Sequence, residues 1–590
     1  MELKVVYRIL RKISDWTLEG YYSEVHIAGS EHVPKNGPLI ITPTHHNELI
    51  DIATVAATIP YRRHVSFWAK STMFVNPVTR AILVSAGSIP VKRNPNRTPD
   101  VDASLAPTSQ ADLFHDSFLA LSQGQVLGVF PEGTSYTEPC IAQIMSGAAW
   151  AAVEYAKWQR GGGATSKVRG LVIVPVGIVY TDKARYRSRL VVRYGRPIDV
   201  TLHCEEVFAS TPKDIHENTR KVVKTIMAEV ESQLTAMTIN APDWDTVYAS
   251  RIAKDMLWVD TPVPLQVYVE VSQLFVDIFS KPDFLHARNT LVEYYSLLHY
   301  TRLSHASLDH LYPLSDTNTD THSSFLPSLA SSASVFLKQL LNTLLHPRAL
   351  CFLPPFLVHR PAYILGTLAA RFLANPEEEE GQAQFKAIFG GFGAGLSYGL
   401  VTWRLSKWLQ GIATGTQGSF VSTRPGIFST LRYIGLVLAG QEGNPLQRVL
   451  TLGGLFYGVS WILVRWHNSL IDSNYRQFKR LVGSFRIFRG LLSQPCEVTA
   501  SQLDHYARPP PPPVNPFIKR RIAINNGNDT EHEDRPSTRS RNPGIRVPTG
   551  MLIRHLFDTR VKALRALNYV CMSMDDQQSD FLRNNGCSAL

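Results

Sequence analysis

The stretch GPLIITPTHHNELIDIATVAA, residues 37–57, sets two adjacent histidines just after an apolar run and an aspartate a few residues later, at what reads as a helix start. The run Pro38-Leu39-Ile40-Ile41 is short, branched and bounded by Gly37 and Pro43, so it reads as a buried strand. Thr44 to Asn47 is then a connection, with Asp51 in the first turns of the following helix. On a regular helix, residues five apart are separated by about 140°. His46 and Asp51 therefore meet only if the histidine lies in the loop. In that arrangement a carboxylate holds one ring nitrogen and the other is left to take a proton, the logic of an orienting group and a general base. The plainer reading is a half-buried histidine that caps or packs, and the stretch alone does not decide between them.

Working outward, strand-like runs alternate with helical patterns from about Tyr21 to Val200. GSIPVKR, GQVLGVFPEGTS, GLVIVPVGIVY and SRLVVRYGRPIDV follow the first strand, and SQADLFHDSFLALSQG and SGAAWAAVEYAKWQ between them carry apolar residues at helical spacing. This alternation is the signature of an α/β core, with a central sheet flanked by helices. Two polar, Gly/Pro-rich stretches, NPNRTPDVDASLAPTSQ and RGGGATSK, read as surface loops.

The chain has 590 residues, 44% hydrophobic and only 18% charged, with a net charge of +11. Low charge raises membrane contact as a possibility, and the basic balance suits an anionic lipid surface. No zinc-spaced Cys/His set, stacking motif or basic recognition helix supports nucleic acid as a partner. The six cysteines are scattered without a C-x-x-C pair, which argues against a disulfide framework or metal knuckle and predicts a reducing, cytosol-facing environment. The N-terminus, MELKVVYRILRKISDW, mixes charges with apolar residues and has no small-residue cleavage site. It reads as an amphipathic helix over residues 1–20 that lies on a membrane.

Beyond the α/β core (21–245), residues 246–345 read as a helical accessory region, broken by SDTNTDTHSS. Residues 346–471 read as membrane-embedded helices. Two apolar runs there are parted by His359 and Arg360, and two longer uncharged stretches, 387–403 and 449–464, sit near the lower limit of about 17 residues for a spanning helix. Gly391, Gly395 and Gly399 form a ridge suited to close helix packing. A buried soluble helical layer is the alternative. Residues 472–507 read as a basic amphipathic helix suited to an anionic leaflet. Residues 508–550, with a polyproline stretch, read as a disordered linker, and 551–590 as one more amphipathic helix and tail.

Taken in order, the paired histidines and Asp51, GSIPVKR (87–93), FPEGTS (130–135) and VIVPVGIVY (172–180) resemble the four motif blocks of the glycerolipid acyltransferase superfamily, which transfers an acyl chain from a thioester to a hydroxyl. The resemblance covers roughly residues 20–200. FWAKSTMFVNPVTRAILVSAGSIPVKR and the helical extension PLQVYVEVSQLFV look most like the fungal-type glycerol-3-phosphate or dihydroxyacetone-phosphate 1-acyltransferases. The superfamily's spacing selects His46 with Asp51; the nearer subgroup's pattern selects His45, Asn47 and Asp51. Both fit, and His46 is placed slightly ahead.

The resemblance implies a histidine base, Asp51 fixing its tautomer, and cations for the acceptor's phosphate, with Arg93 leading and Lys92 and Lys70 behind; each is otherwise a solvated surface charge. Gly87 would allow close backbone approach, though a plain turn glycine reads the same. Glu132, within Glu132-Gly133-Thr134-Ser135, would accept from an acceptor hydroxyl or hold Arg93, the alternative being a carboxylate at a helix start. Pro175 would shape the acyl or coenzyme A pocket. No metal or cofactor is implied, acyl-CoA being a co-substrate. The expected activity is acyl transfer to the sn-1 hydroxyl of glycerol 3-phosphate or dihydroxyacetone phosphate at the endoplasmic reticulum membrane, on its cytosolic side. A lysophospholipid acyltransferase and a non-catalytic membrane scaffold are the competing readings.

Overall fold

The computed structural model describes residues 5–91, 110–163, 170–209, 211, 214–259, 261–314, 326–374, 379–414, 427–493, 500–510, 512, 515, 518 and 550–587. All of the loop expected at 94–110 but its last residue, the polar stretch 315–324 and most of the linker expected at 508–550 lie outside these residues. Helices of seven residues or more are numbered in chain order.

Eight strands form one mixed sheet: β1 (Glu24–Ala28), β2 (Leu39–Pro43), β3 (Val65–Lys70), β4 (Ile89–Val91), β5 (Val126–Gly128), β6 (Val172–Tyr180), β7 (Arg189–Tyr194) and β8 (Ile198–Asp199). Their order is β1-β7-β6-β2-β5-β3-β4, with β8 beside β6. From β6 to β4 every neighbouring pair is parallel, while β7 and β8 run against β6. β2 sits inside the parallel part, and all five of its residues are buried, as a strand covered on both faces requires.

α1 (Val5–Tyr21) and α2 (Leu49–Thr58) lie together, and Leu18, Ile50 and Val55 share a core with Leu39, Ile41 and Val174. α3 (Pro77–Ser85) follows β3 and carries no buried residue. α4 (Gln110–Ser122), α5 (Gly147–Trp158) and α6 (Ile215–Met237) belong to a second core, where Phe118, Tyr155 and Ile226 meet Ile40 and Ile173. The two cores take alternate residues of β2, so the sheet is a middle layer between helices.

The accessory region begins with α7 (Trp244–Leu257), α8 (Tyr268–Phe279), α9 (Leu285–Thr301) and α10 (His305–Leu311). Its core is completed from far along the chain, by Ile487 and Leu491 and by Leu556, Phe557 and Leu567 of a C-terminal helix, Leu552–Met572. Arg560 of that helix is buried; its guanidinium donates to Asp309 Oδ1 and to the Tyr312 carbonyl, each at 2.6 Å. Read from sequence as a separate amphipathic helix and tail, this segment is part of the accessory core.

Between them lie α11 (Leu329–Leu344), α12 (Pro347–Phe372), α13 (Gln382–Ala413), α14 (Ile427–Ala439) and α15 (Pro445–Leu492). The two apolar runs parted by His359 are one continuous helix, α12. His359 stays buried because Nδ1 donates to the Pro355 carbonyl (2.6 Å) and Nε2 accepts from the Tyr398 hydroxyl (2.7 Å). The boundary expected at 471/472 falls inside α15, because the apolar and basic amphipathic patterns join without a break. Among the described residues α15 is the one helix long and apolar enough to cross a membrane, by length and composition.

The Gly391, Gly395, Gly399 ridge is not a packing face: a Cβ on any of the three would meet nothing within 4 Å. The close contact uses another face, where a Cβ on Gly393 would lie 2.8 Å from Ala362 Cα and one on Gly366 3.0 Å from the Lys386 carbonyl.

Arg560→Ala is expected to remove about 1.5 to 3 kcal/mol, toward the lower end because Asp309 is partly solvated. Thermal unfolding followed by protease sensitivity of residues 285–312 measures this. Wild-type resistance would mean that the C-terminal helix only rests on the accessory core.

Candidate active site

β2, β5, β3 and β4 are parallel, so the segments after their C-terminal ends emerge along one edge of the sheet, where ligands of open α/β sheets sit. That edge gathers the His45 loop after β2, the FPEGTS loop after β5 and Lys70, exposed at the end of β3. Lys92 and Arg93 follow β4 and lie outside the described residues.

Asp51 is fully buried in the first turn of α2. Its Oδ2 accepts from His45 Nδ1 at 2.9 Å and from the backbone N–H groups of His46 (2.8 Å) and Asn47 (2.7 Å), and its Oδ1 accepts from the Tyr180 hydroxyl at 2.5 Å. The carboxylate thus fixes the loop before α2 and orients an imidazole at once. The geometry reverses the order given to the two histidines. The spacing that favours His46 is met by its backbone, while the imidazole reaching the carboxylate belongs to His45.

With Nδ1–H given to Asp51, His45 presents Nε2 as the proton-accepting nitrogen. Its ring lies flat against Phe130 of FPEGTS, with centroids 4.0 Å apart, and remains 17% exposed, whereas Asp51 is 0% exposed. The His46 ring points elsewhere, edge-on to Tyr136 at 6.1 Å. Burial pushes its pKa down to about 4, with Lys183 and His45 adding to the fall and Asp51 opposing it.

Of the roles read for Glu132, holding Arg93 involves a residue outside the described ones. Glu132 is fully buried, and its Oε1 accepts the His45 backbone N–H at 2.6 Å. It therefore ties the FPEGTS loop to the histidine loop. Burial raises its pKa to about 8; the Tyr136 hydroxyl, the His45 N–H and Lys183 oppose this, and Asp51 adds to it. Gly133 (φ 77°) makes the turn that buries Glu132, and Thr134 and Ser135 follow it, half-buried. Gly87 (φ 81°) sits against His64, whose Cε1 would lie 2.7 Å from an added Cβ. Its close approach is to this side chain.

Pro175 is inside the sheet, opposite Thr42 in the β2–β6 register, and its carbonyl accepts from Gly195 N at 2.8 Å. A strand residue's N–H and C=O point to the same side, so the missing N–H faces the joint between β7 and β8 and costs no ladder bond.

Several contributors escaped the sequence reading. Tyr180 closes the fourth block and holds the second oxygen of Asp51. Lys183, three residues on, receives the Asn47 side-chain amide on its carbonyl (3.1 Å), and its Nζ bonds Thr137 and lies 3.6 Å from Glu380 Oε1. The local signal was the run of cations Lys183, Arg185 and Arg187 just after a strand end. From over 300 residues away, the Gln384 side chain bonds Glu48, and its Oε1 accepts from Leu49 N at 3.4 Å. Glu48 is held at φ 45°, a conformation other residues rarely adopt.

A buried carboxylate–imidazole pair thus stands at the C-terminal edge of a mixed α/β sheet, with the imidazole's Nε2 turned away from the carboxylate, an arrangement that can take a proton from a hydroxyl. Residues 24–179 match the acyltransferase family. Among curated relatives it is similar to glycerol-3-phosphate O-acyltransferase 2 of Saccharomyces cerevisiae, 28% identical over 188 residues, 31% of this chain and 23% of that protein. It is also similar to glycerol-3-phosphate O-acyltransferase 1 of the same yeast, 26% identical over 175 residues, 29% of this chain and 21% of that protein. The aligned stretch thus spans under a quarter of either relative. Among solved structures, the 1-acyl-sn-glycerophosphate acyltransferase of Thermotoga maritima aligns at 18% identity and a TM-score of 0.24, over 38% of this chain and 80% of that one.

Because burial raises the folded-state pKa of Glu132 from 4.5 to about 8, its protonated form is favoured by folding. The associated stability is fully present below about pH 4.5 and lost as pH rises through about 8. Glu132→Gln cannot ionise, so its thermal midpoint should fall less than wild type's across that window. Parallel midpoint curves would contradict a carboxyl held protonated by burial.

Proposed function

We propose that this protein is an acyl-CoA-dependent acyltransferase that acylates the sn-1 hydroxyl of glycerol 3-phosphate, with dihydroxyacetone phosphate as a second acceptor. The single observation carrying the reading is the 2.9 Å contact of His45 Nδ1 with the buried Asp51 carboxylate, which leaves Nε2 to act as a base. A glycerol hydroxyl is a poor nucleophile near neutral pH. His45 Nε2 takes its proton as the oxygen attacks the thioester carbonyl, and the imidazolium returns that proton to the departing thiolate of coenzyme A. Asp51 fixes the tautomer and stabilises the imidazolium, and Tyr180 and the two backbone N–H groups hold Asp51. Glu132 positions His45 through its backbone. No covalent acyl-enzyme, metal or cofactor is required. Arg93, with Lys92 and Lys70 behind it, is the proposed grip on the acceptor's phosphate, because a guanidinium offers a planar fork to its oxygens. The yeast relatives named for glycerol 3-phosphate support this acceptor over a lysophospholipid.

The proposal includes the cytosolic face of the endoplasmic reticulum membrane, with residues 346–471, α12 to α14 and the apolar half of α15, embedded in the bilayer. Large apolar side chains exposed along these helices, including Leu350, Phe392, Leu400 and Trp461, support embedding. On α1, Val5, Ile9, Ile13 and Trp16 form an exposed apolar stripe separate from the face buried on α2, and Arg8 and Lys12 border it. This suits a helix lying in the interface.

Membranes containing the protein, given radiolabelled acyl-CoA and a panel of phosphorylated acceptors, should label glycerol 3-phosphate. Labelling of 1-acylglycerol 3-phosphate alone would overturn the acceptor. In the same assay His45→Ala should lose at least about a hundredfold, the scale of a general base, and His46→Ala should keep most activity. Equal losses in the two variants would contradict the assignment of the base. A glycosylation acceptor placed within residues 94–110 should stay unmodified in microsomes. Modification there would put the catalytic domain in the lumen.

A further inference from the structure

A second group of cations lies away from the catalytic edge. Where α9 ends, Arg302 adopts a left-handed backbone (φ 54°) and turns the chain into α10. The basic half of α15 crosses this turn, with Gly483 facing Leu303. Arg486 Nη1 donates to the Arg302 carbonyl at 2.6 Å, which draws a second guanidinium to the same point. A cavity of about 220 Å³ opens between the two segments, lined by Arg302, Lys479 and Arg486 together with the hydroxyls of Ser304 and Ser307 and the ring of Tyr475.

The three positive groups are held by a carbonyl and a ring rather than by carboxylates. Lys479 sits over the Tyr475 ring at 4.9 Å, and Asp182 and Asp255 act on it only from a longer distance. Among the described residues none of the three makes an ion pair, unlike Arg187 with Asp472 or Arg560 with Asp309. Like charges gathered on one cavity repel, and an anion from outside the chain relieves that repulsion. Guanidinium forks, an ammonium and two hydroxyls match the oxygens of a phosphate. The rim is apolar on the α15 side, where Tyr475, Phe478 and Phe485 are exposed and the helix runs back toward its apolar half. A free phosphate ester has no use for that face.

We propose that this cavity binds the phosphate headgroup of an anionic phospholipid, with the acyl chains lying along the exposed aromatic face of α15. The site is separate from His45 and Asp51, and the inference does not depend on which acceptor the catalytic site takes.

The test uses the full-length protein in detergent and dioctanoyl phosphatidate as probe, with dioctanoylglycerol and glycerol 3-phosphate as comparison ligands. Binding is read by thermophoresis, and each variant's thermal midpoint reports that it is folded. Phosphatidate should bind, more weakly as salt is raised, because exposed charges are screened. Dioctanoylglycerol should not bind. The double variant Arg302→Gln, Arg486→Gln should lose at least about tenfold in affinity. Arg220→Gln with Lys224→Gln, which removes the same charge from the exposed face of α6, should bind like wild type. Wild-type affinity in the first double variant, as expected if phosphatidate enters only the catalytic site, would overturn the proposal. So would an equal loss in the charge-matched control, which would mark a diffuse surface effect. Displacement of phosphatidate by an equal concentration of glycerol 3-phosphate would show a site for soluble phosphate esters and overturn the lipid assignment.

Discussion

The catalytic edge is organised around the carboxylate of Asp51. A fully buried carboxylate is expensive unless its lone pairs are satisfied, and here four donors satisfy them: an imidazole, two backbone amides and a phenol. Each donor comes from a segment that must be placed correctly. The two amides fix the loop between β2 and α2, the phenol fixes the end of β6, and the imidazole is fixed in return. Removing the charge would release all three together.

Around that carboxylate, neighbouring strands supply complementary supports to one ring. Phe130 lies flat on the His45 imidazole and Glu132, two residues on, holds the His45 backbone, both from the loop after β5. β5 lies beside β2 with both strands parallel, so their following loops leave the sheet side by side. The parallel arrangement brings the FPEGTS block to the histidine block, although about 85 residues of chain separate them. A turn through Gly133 at positive φ lets the buried carboxyl and the stacking ring sit on one loop.

The helical region is joined to this edge. Gln384, at the start of α13, bonds Glu48 and Leu49, and Glu380 just before that helix faces Lys183 and Thr137. The strained backbone at Glu48 persists because several contacts determine it at once, as is common where a loop must present a reactive group. The helix carrying these contacts continues for 32 residues with apolar side chains outward. In the proposed membrane arrangement, the bilayer-facing helices are therefore joined directly to the histidine loop.

By itself the sequence determined the alternating α/β core, the order of its motif blocks and the aspartate that anchors them. Those features rest on local patterns: a branched run between Gly37 and Pro43, helical spacing, and polar residues set just after strands. It left the choice between His45 and His46 open, because spacing along the chain does not say whether a side chain or a backbone amide meets the carboxylate. Only the folded loop decides that: His46 meets the carboxylate through its backbone amide, and the imidazole that meets it belongs to His45. Motif order carries no information on burial, so it did not show that Glu132 is enclosed and ties two loops. Tyr180 ends an apolar block whose pattern carries no sign that its hydroxyl reaches Asp51, and Gln384 had no local signal at all. Contacts across more than 300 residues depend on how helices and sheet pack, which no periodicity in either segment records.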